Sequence, residues 1–229
     1  HDFRPSYRHI TVLKELQPTA PIIALTATAT AKVLKDISNN LEFKAVTVFK
    51  KSFYRENLAY QFFNTEDKLR RLIQICTKTK APIIVYASSR NRTKDIAKFL
   101  NANTFNASYY HGGLTTLEKQ TAFDNWIAEK TPIMVATNAF GMGIDKSNVK
   151  VVVHVDLPNS IENYIQEAGR AGRDGNKAFS AVLYNSNDTR IAIEKVKNTF
   201  PSIKEIKSIY KSLFQNYQIA NGELLEKSF

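Results

Sequence analysis

Ile83-Ile84-Val85-Tyr86-Ala87 is the stretch on which the fold turns. The run is too short for a core helix and has no polar face, so it reads as a strand covered on both sides. The segment after it carries Thr93, Ile96, Ala97 and Leu100 at helical spacing. Asn106 to Tyr110 predicts another strand. Thr115 to Glu129 predicts a helix opened by a Thr115/Glu118 capping box, with Phe123, Trp126 and Ile127 in its buried stripe. Pro132 to Thr137 and Val151 to Val155 add two strands. Asn159 and Glu162 form a second capping-box pattern ahead of Ile161, Tyr164, Ile165 and Ala168, and Ala178 to Tyr184 closes the series as a strand. Strands alternating with helices from Glu66 to Tyr184 predict an α/β fold: a parallel sheet with helices on both faces and ligands at the carboxyl ends of its strands.

Outside this region the pattern changes. Residues 1–56 offer a helix (Tyr7 to Leu16), a strand (Ile22 to Leu25), a helix (Ala29 to Asn39) and a strand (Ala45 to Phe49). They read as the C-terminal part of a preceding α/β domain, with a polar linker over Lys51 to Asn57. The main domain is expected over 57–185. Ile203, Ile206, Tyr210, Leu213 and Tyr217 make a helical stripe with no strand after it, so 186–229 reads as a helical appendage. The opening His1-Asp2-Phe3-Arg4-Pro5 lacks Met and reads as the interior of a longer chain.

Composition narrows the function classes. Lys and Arg number 32 against 21 Asp and Glu, a net charge of +11, which favours a polyanionic partner with nucleic acid foremost. Cys76 is the only cysteine; this excludes a disulfide within the chain, argues against a cysteine-based zinc site and points to a reducing intracellular compartment. No apolar run has membrane-spanning length.

Chemistry concentrates in Gln166-Glu167-Ala168-Gly169-Arg170-Ala171-Gly172-Arg173-Asp174-Gly175. Two arginines, each after a glycine, stand three residues apart, a spacing expected to put both guanidinium groups on one side of a helical turn. A forked, permanently charged donor with little bulk around it suits a polyphosphate that gains charge during transfer. No Gly-x-x-x-x-Gly-Lys-Ser/Thr loop occurs in the 229 residues. The chain therefore reads as the arginine side of a nucleotide site without its phosphate cradle.

Ala24-Leu25-Thr26-Ala27-Thr28-Ala29-Thr30 and Val135-Ala136-Thr137-Asn138-Ala139-Phe140-Gly141-Met142-Gly143-Ile144-Asp145-Lys146 precede the arginine stretch in order. Together the three resemble motifs III, V and VI of superfamily 2 helicases, specifically of the RecQ DNA helicases, over His1 to about Tyr184. The resemblance implies a RecA-like, P-loop NTPase helicase C-terminal domain and an ATP-dependent helicase moving 3′ to 5′ on single-stranded DNA. It implies ATP and Mg2+ as cofactors, with the Mg2+ ligands mostly outside this stretch. DNA, both single strands and duplex junctions, is the implied partner, no membrane is expected, and the implied location is the cytoplasm, or the nucleoid of a bacterium.

The same resemblance assigns residues. Arg173 is the expected arginine finger and Arg170 its partner at the phosphates, with Gln166 supporting them through hydrogen bonds. Asp145 and Gly143 are expected at the nucleotide. Thr137 matches a position that contacts the nucleic-acid backbone, although a strand-end hydroxyl equally caps a turn. Thr26 and Thr28 match the motif that couples nucleotide state to DNA, and equally suit capping of the next helix. Ser89 and Arg90 resemble motif IV, and His111 belongs to Tyr110-His111-Gly112-Gly113-Leu114, a DNA-contacting stretch in the family. His1, Phe3 and Arg4 resemble the end of the aromatic-rich loop that senses single-stranded DNA. RecQ proteins usually continue into a four-cysteine zinc module. No cysteine follows Cys76 here, so no zinc is expected and the resemblance is to a divergent subgroup, with the helix of 202–217 in the module's place. Lys204, Lys207 and Lys211 on that helix are either phosphate contacts or a solvated face. DEAD-box RNA helicases share the fold but read His-Arg-x-Gly-Arg in motif VI and Ser-Ala-Thr in motif III. A nucleic-acid-binding module without catalysis is the remaining alternative.

Overall fold

The computed structural model describes residues 11–26, 29–43, 46–141 and 145–217, with only the backbone described at 13, 14, 216 and 217. The chain divides into two compact units, 1–183 and 184–229.

The first unit is built on a six-stranded sheet. In chain order its elements are α1 (Val12–Leu16), α2 (Ala31–Asn40), β1 (Leu58–Asn64), α3 (Lys68–Lys78), β2 (Ile83–Tyr86), α4 (Arg90–Ala102), β3 (Ala107–Tyr110), α5 (Thr116–Ile127), β4 (Ile133–Ala136), β5 (Val151–His154), α6 (Ile161–Ala168) and β6 (Ala178–Tyr184). The strand order is β1-β6-β5-β2-β4-β3. The pairs β2–β4, β2–β5, β3–β4 and β5–β6 are all parallel.

Every residue of β2, β4 and β5 is buried, as central strands covered on both faces require. Because side chains alternate along a strand, the two faces take different sets. Ile83, Val85, Ile133, Val135, Val151 and Val153 pack with Leu72 and Cys76 of α3 and Ile96, Ala97 and Leu100 of α4. Ile84, Tyr86, Met134, Ala136 and Val152 pack on the other face with Trp126 of α5 and Phe140. The Thr115/Glu118 capping box forms as expected. At α6 the expected cap moves by one residue: Ser160, not Asn159, accepts from the Asn163 amide. The edge strand β1 gives a weaker sequence signal, since only Leu58 of its seven residues is buried.

The N-terminal segment departs from expectation. Neither Ile22 to Leu25 nor the described part of Ala45 to Phe49 forms a strand. Ile23, Leu25 and Phe49 are 80%, 91% and 94% exposed. A strand needs a neighbour to take its backbone hydrogen bonds, and none lies beside these segments among the described residues. Helix α2 does form, and its cap is Thr30, which accepts from the Val33 amide.

In the second unit, α7 (Ser186–Thr199) opens with an Asn185/Asp188 capping box, and α8 (Ile203–Tyr217) opens with reciprocal Ser202/Glu205 hydrogen bonds. Lys204, Lys207 and Lys211 are exposed. Among the described residues no helix is long and apolar enough to cross a membrane.

Candidate functional site

The expected site residues fall into two sets, one along the carboxyl ends of the strands and one in the turns after α6. Tyr86 is in register with Ala136 and with His154, and Tyr110 with Ala136. One residue on, at the carboxyl ends, the ladder continues through Ala87, Thr137 and Val155, whose amides donate to Ala136, Tyr110 and Tyr86. His111 stands in the same row after β3. Ser89 and Arg90 follow three and four residues after Tyr86, the last register position of β2. This is where an open parallel sheet binds ligands.

Each residue of the row already has a local task. Ser89 caps α4 by accepting from the Arg92 amide. Thr137 is buried and its Oγ1 accepts from the Ala139 amide at 3.4 Å. Arg90 lies over Gly113, where a Cβ would sit 2.8 Å from its Nη1. His111 is 3% exposed, stacks on Tyr109 and has no hydrogen bond to either ring nitrogen among the described residues. Burial first, then the charges of Lys94 and Arg90, lower its pKa, which favours the neutral ring. Asp156, unmarked by any motif, gathers this edge. Its Oδ2 accepts from the Ser88 amide and hydroxyl at 2.8 Å and from Arg92 Nε at 2.9 Å.

The arginine stretch is tied by its backbone to the segment that leads into β5. The Gly172 amide donates to Val149 and the Asp174 amide to Ser147, both just before β5. The two arginines do not share a helical face, because α6 ends at Ala168 and both lie in the turns beyond it. Gly172 (φ +67°) makes the bend. A Cβ there would meet Ala178 Cβ and Asn57 Nδ2, each at 2.7 Å, so a side chain fits neither the angle nor the space.

Arg170 is 6% exposed and its Nη1 donates to the Gly141 carbonyl. Gly141 leaves it room: a Cβ there would stand 2.1 Å from Nη2. Arg173 faces outward and its Nη1 donates to Asp145 Oδ1 at 3.0 Å, the side chains being 34% and 88% exposed. Gln166 is exposed on α6, and among the described residues no hydrogen bond joins its side chain to Arg170 or Arg173. Thr26 is exposed, far in sequence from either set. His1, Phe3, Arg4, Thr28 and Gly143 lie outside the described residues.

Several groups that hold this region were given no role by the motif reading. His154 Nε2 and Glu167 Oε2 lie 2.8 Å apart in the interior, tying β5 to α6. Tyr86 stacks on His154 and donates to the Phe140 carbonyl at 3.0 Å. Its hydroxyl pKa is raised, chiefly by burial. Lys68 Nζ donates to the Val155 carbonyl at 2.9 Å from a buried position. Lys150 and Asn176 hold Asp174, whose pKa falls to about 2; the Asn176 side-chain amide is the largest cause and Lys150 the next. Among the described residues no cluster of His, Cys, Asp or Glu could hold a metal ion.

Among solved structures, Saccharomyces cerevisiae Dbp5 bound to RNA and ADP BeF3 matches with a TM-score of 0.67 over 92% of this chain and 60% of that chain at 20% identity; it shows the fold alone. The helicase conserved C-terminal domain matches residues 66–175, from before α3 to the end of the arginine turn. The RecQ-like DNA helicase blm-1 of Caenorhabditis elegans is 41% identical over 82% of this chain and 20% of its own length. The ATP-dependent DNA helicase RecQ of Bacillus subtilis is 37% identical over 91% of this chain and 36% of its own length. The chain thus spans less than half the length of the curated relatives it matches. By its matched domain and these relatives, the chain belongs to the RecQ family of DNA helicases.

Proposed function

We propose that the protein is an ATP-dependent DNA helicase that moves 3′ to 5′ on single-stranded DNA, and that this chain supplies its arginine finger, Arg173. The observation that carries the reading is the contrast between the two arginines. Arg170 is buried and fixed on the Gly141 carbonyl, whereas Arg173 stands at the surface, oriented by an exposed carboxylate. A guanidinium held ready but not enclosed can reach a phosphate across a closing cleft, with Asp145 released as it does so. ATP, with Mg2+, supplies the phosphoryl group whose transfer to water drives movement. Arg173 would neutralise charge on the transferring group, Arg170 would hold the turn from beneath, and Asp145, with Gly143 two residues before it in the sequence, would lie beside the nucleotide. Gln166 is retained only as an exposed polar neighbour of that cleft.

The row at the carboxyl edge is the proposed nucleic-acid side. Ser89, Arg90, His111 and Thr137 offer hydroxyls, a cation and a neutral imidazole along one line, the mixture that backbone contacts use. Thr26 and Thr28 would couple the two sides, and His1, Phe3 and Arg4 would meet single-stranded DNA. The division proposed for the longer protein remains 1–56, 57–185 and 186–229, with the last helices where other members carry zinc.

The test is ATP turnover by the full-length protein with single-stranded DNA, with RNA and with neither. DNA-dependent turnover that falls at least about a thousandfold in Arg173→Ala, with DNA affinity retained, is the expected result. Equal stimulation by RNA overturns the DNA assignment. Turnover within about tenfold of the parent in Arg173→Ala, some 1.4 kcal/mol of barrier, overturns the finger.

A further inference from the structure

The turn that carries both arginines is held from outside by a residue no motif marks. Arg55, half-buried just before β1, donates from Nη1 to the Gly169 carbonyl at 3.1 Å and the Ala171 carbonyl at 3.0 Å, and from Nη2 to the Gly172 carbonyl. Beside it, Asn57 Nδ2 donates to the Gly172 carbonyl at 2.7 Å and the Asn176 carbonyl at 2.8 Å. The Asn57 carbonyl in turn accepts from the Ala178 amide at 2.8 Å, where β6 begins. One short segment therefore grips the arginine turn from its first glycine to its exit.

The chemistry explains why an arginine does this. The last carbonyls of a helix have no partner within it. A cation is favoured at that end, and a planar fork can serve several oxygens whose directions diverge, which an ammonium cannot do with the same geometry. The carbonyls that Arg55 collects flank Arg170 and stand directly before Arg173, so their orientation sets where both side chains leave the backbone.

We propose that Arg55 is a positioning residue for Arg170 and Arg173: the segment leading into β1 fixes the arginine turn, and displacement of that segment moves the finger. The role rests on the reading of Arg173 as the finger. Since Arg55 precedes the sheet, it links whatever pulls on 51–57 to the nucleotide side.

The experiment compares Arg55→Gln, Arg55→Lys and Arg173→Ala in the full-length protein. It measures kcat and KM for ATP at saturating single-stranded DNA, DNA affinity, melting temperature and amide exchange across 169–176. Positioning predicts that Arg55→Gln lowers kcat by about a hundredfold, as a small misplacement of a catalytic group does, while KM, DNA affinity and melting temperature change little. The Gly172 and Asp174 amides then exchange faster, and Arg55→Lys recovers part of the rate. A parental kcat in Arg55→Gln while Arg173→Ala collapses overturns the role and leaves the finger standing. Loss of kcat in step with melting temperature and DNA affinity also overturns it, as a general structural effect. If Arg55→Gln does not fold, Arg55→Lys decides: a lowered kcat with intact DNA binding supports the role, and a parental kcat refutes it. Turnover surviving in Arg173→Ala removes the finger and this role together.

Discussion

Ile22 to Leu25 and Ile83 to Tyr86 are nearly the same local sequence, two short aliphatic runs next to a helical segment. One is an exposed, irregular stretch with Leu25 at 91% exposure; the other is a central strand with Ile84 and Val85 at 0%. The difference lies outside both segments. Ile83 to Tyr86 has β4 on one side and β5 on the other to take its backbone hydrogen bonds, and helices over both faces. Ile22 to Leu25 has neither among the described residues. Apolar character marks a candidate strand, and only neighbours make it one.

That contrast can be broken by truncation. Trp126 is fully buried, and Trp126→Ala is expected to cost about 3–5 kcal/mol in denaturant unfolding, against a change within about 0.5 kcal/mol for Phe49→Ala at its exposed site. Comparable losses would mean that the N-terminal segment is packed in solution. Polar contacts sharpen the same point. Glu167→Gln weakens the buried pairing with His154 and is expected to cost about 1–3 kcal/mol; an unchanged midpoint would show that pairing to be idle. Caps give a smaller test: Thr115→Ala, at the start of a core helix with a complete capping box, should cost about 1 kcal/mol. Thr30→Ala, on a helix with no buried residue, should cost less in global unfolding.

Two groups report on the contrast without an energy. Burial pushes the Cys76 thiol up to about 12, so at pH 8 iodoacetamide should label it only as fast as the sheet unfolds. Rapid labelling of the folded protein would place α3 at the surface. Asp174 lies at the open end of the arginine turn, and Asn176 with Lys150 lowers its pKa from 3.8 to about 2. A depressed carboxylate stabilises the fold above its unfolded pKa, and the contribution is lost as pH falls through the folded value. The turn should therefore hold at pH 4 and loosen toward pH 2, with the Asp174 carboxyl titrating near the lower value by NMR. A midpoint near 3.8 would show those hydrogen bonds to be absent.

The sheet was legible because its signals are local. β2 to β6, α4, α5 and the stripe of α8 follow from runs and periodicities a few residues long. So did the arginine stretch, since two Gly-Arg steps are informative wherever they sit. Less was legible at the site. The spacing of Arg170 and Arg173 predicted a shared helical face, but the helix stops at Ala168, and the bend at Gly172 sends one guanidinium inward and the other out. Gln166 looked like a supporting group and is exposed. Of the supports that do exist, Glu167 on His154 sits in the arginine stretch with no role read for it, and Asp156 on Ser88 and Arg92, with Arg55 on three carbonyls, belong to no motif.

By itself the sequence determined the class of fold and the family, because hydrophobic period, charge and motif order are properties of neighbours along the chain. Which apolar runs became strands, which arginine is buried and which lies at the surface, and what grips the turn that carries them were decided by tertiary structure. Hydrogen bonds such as that from Arg55 to Gly169 join residues 114 positions apart, and no local pattern encodes a partner at that distance.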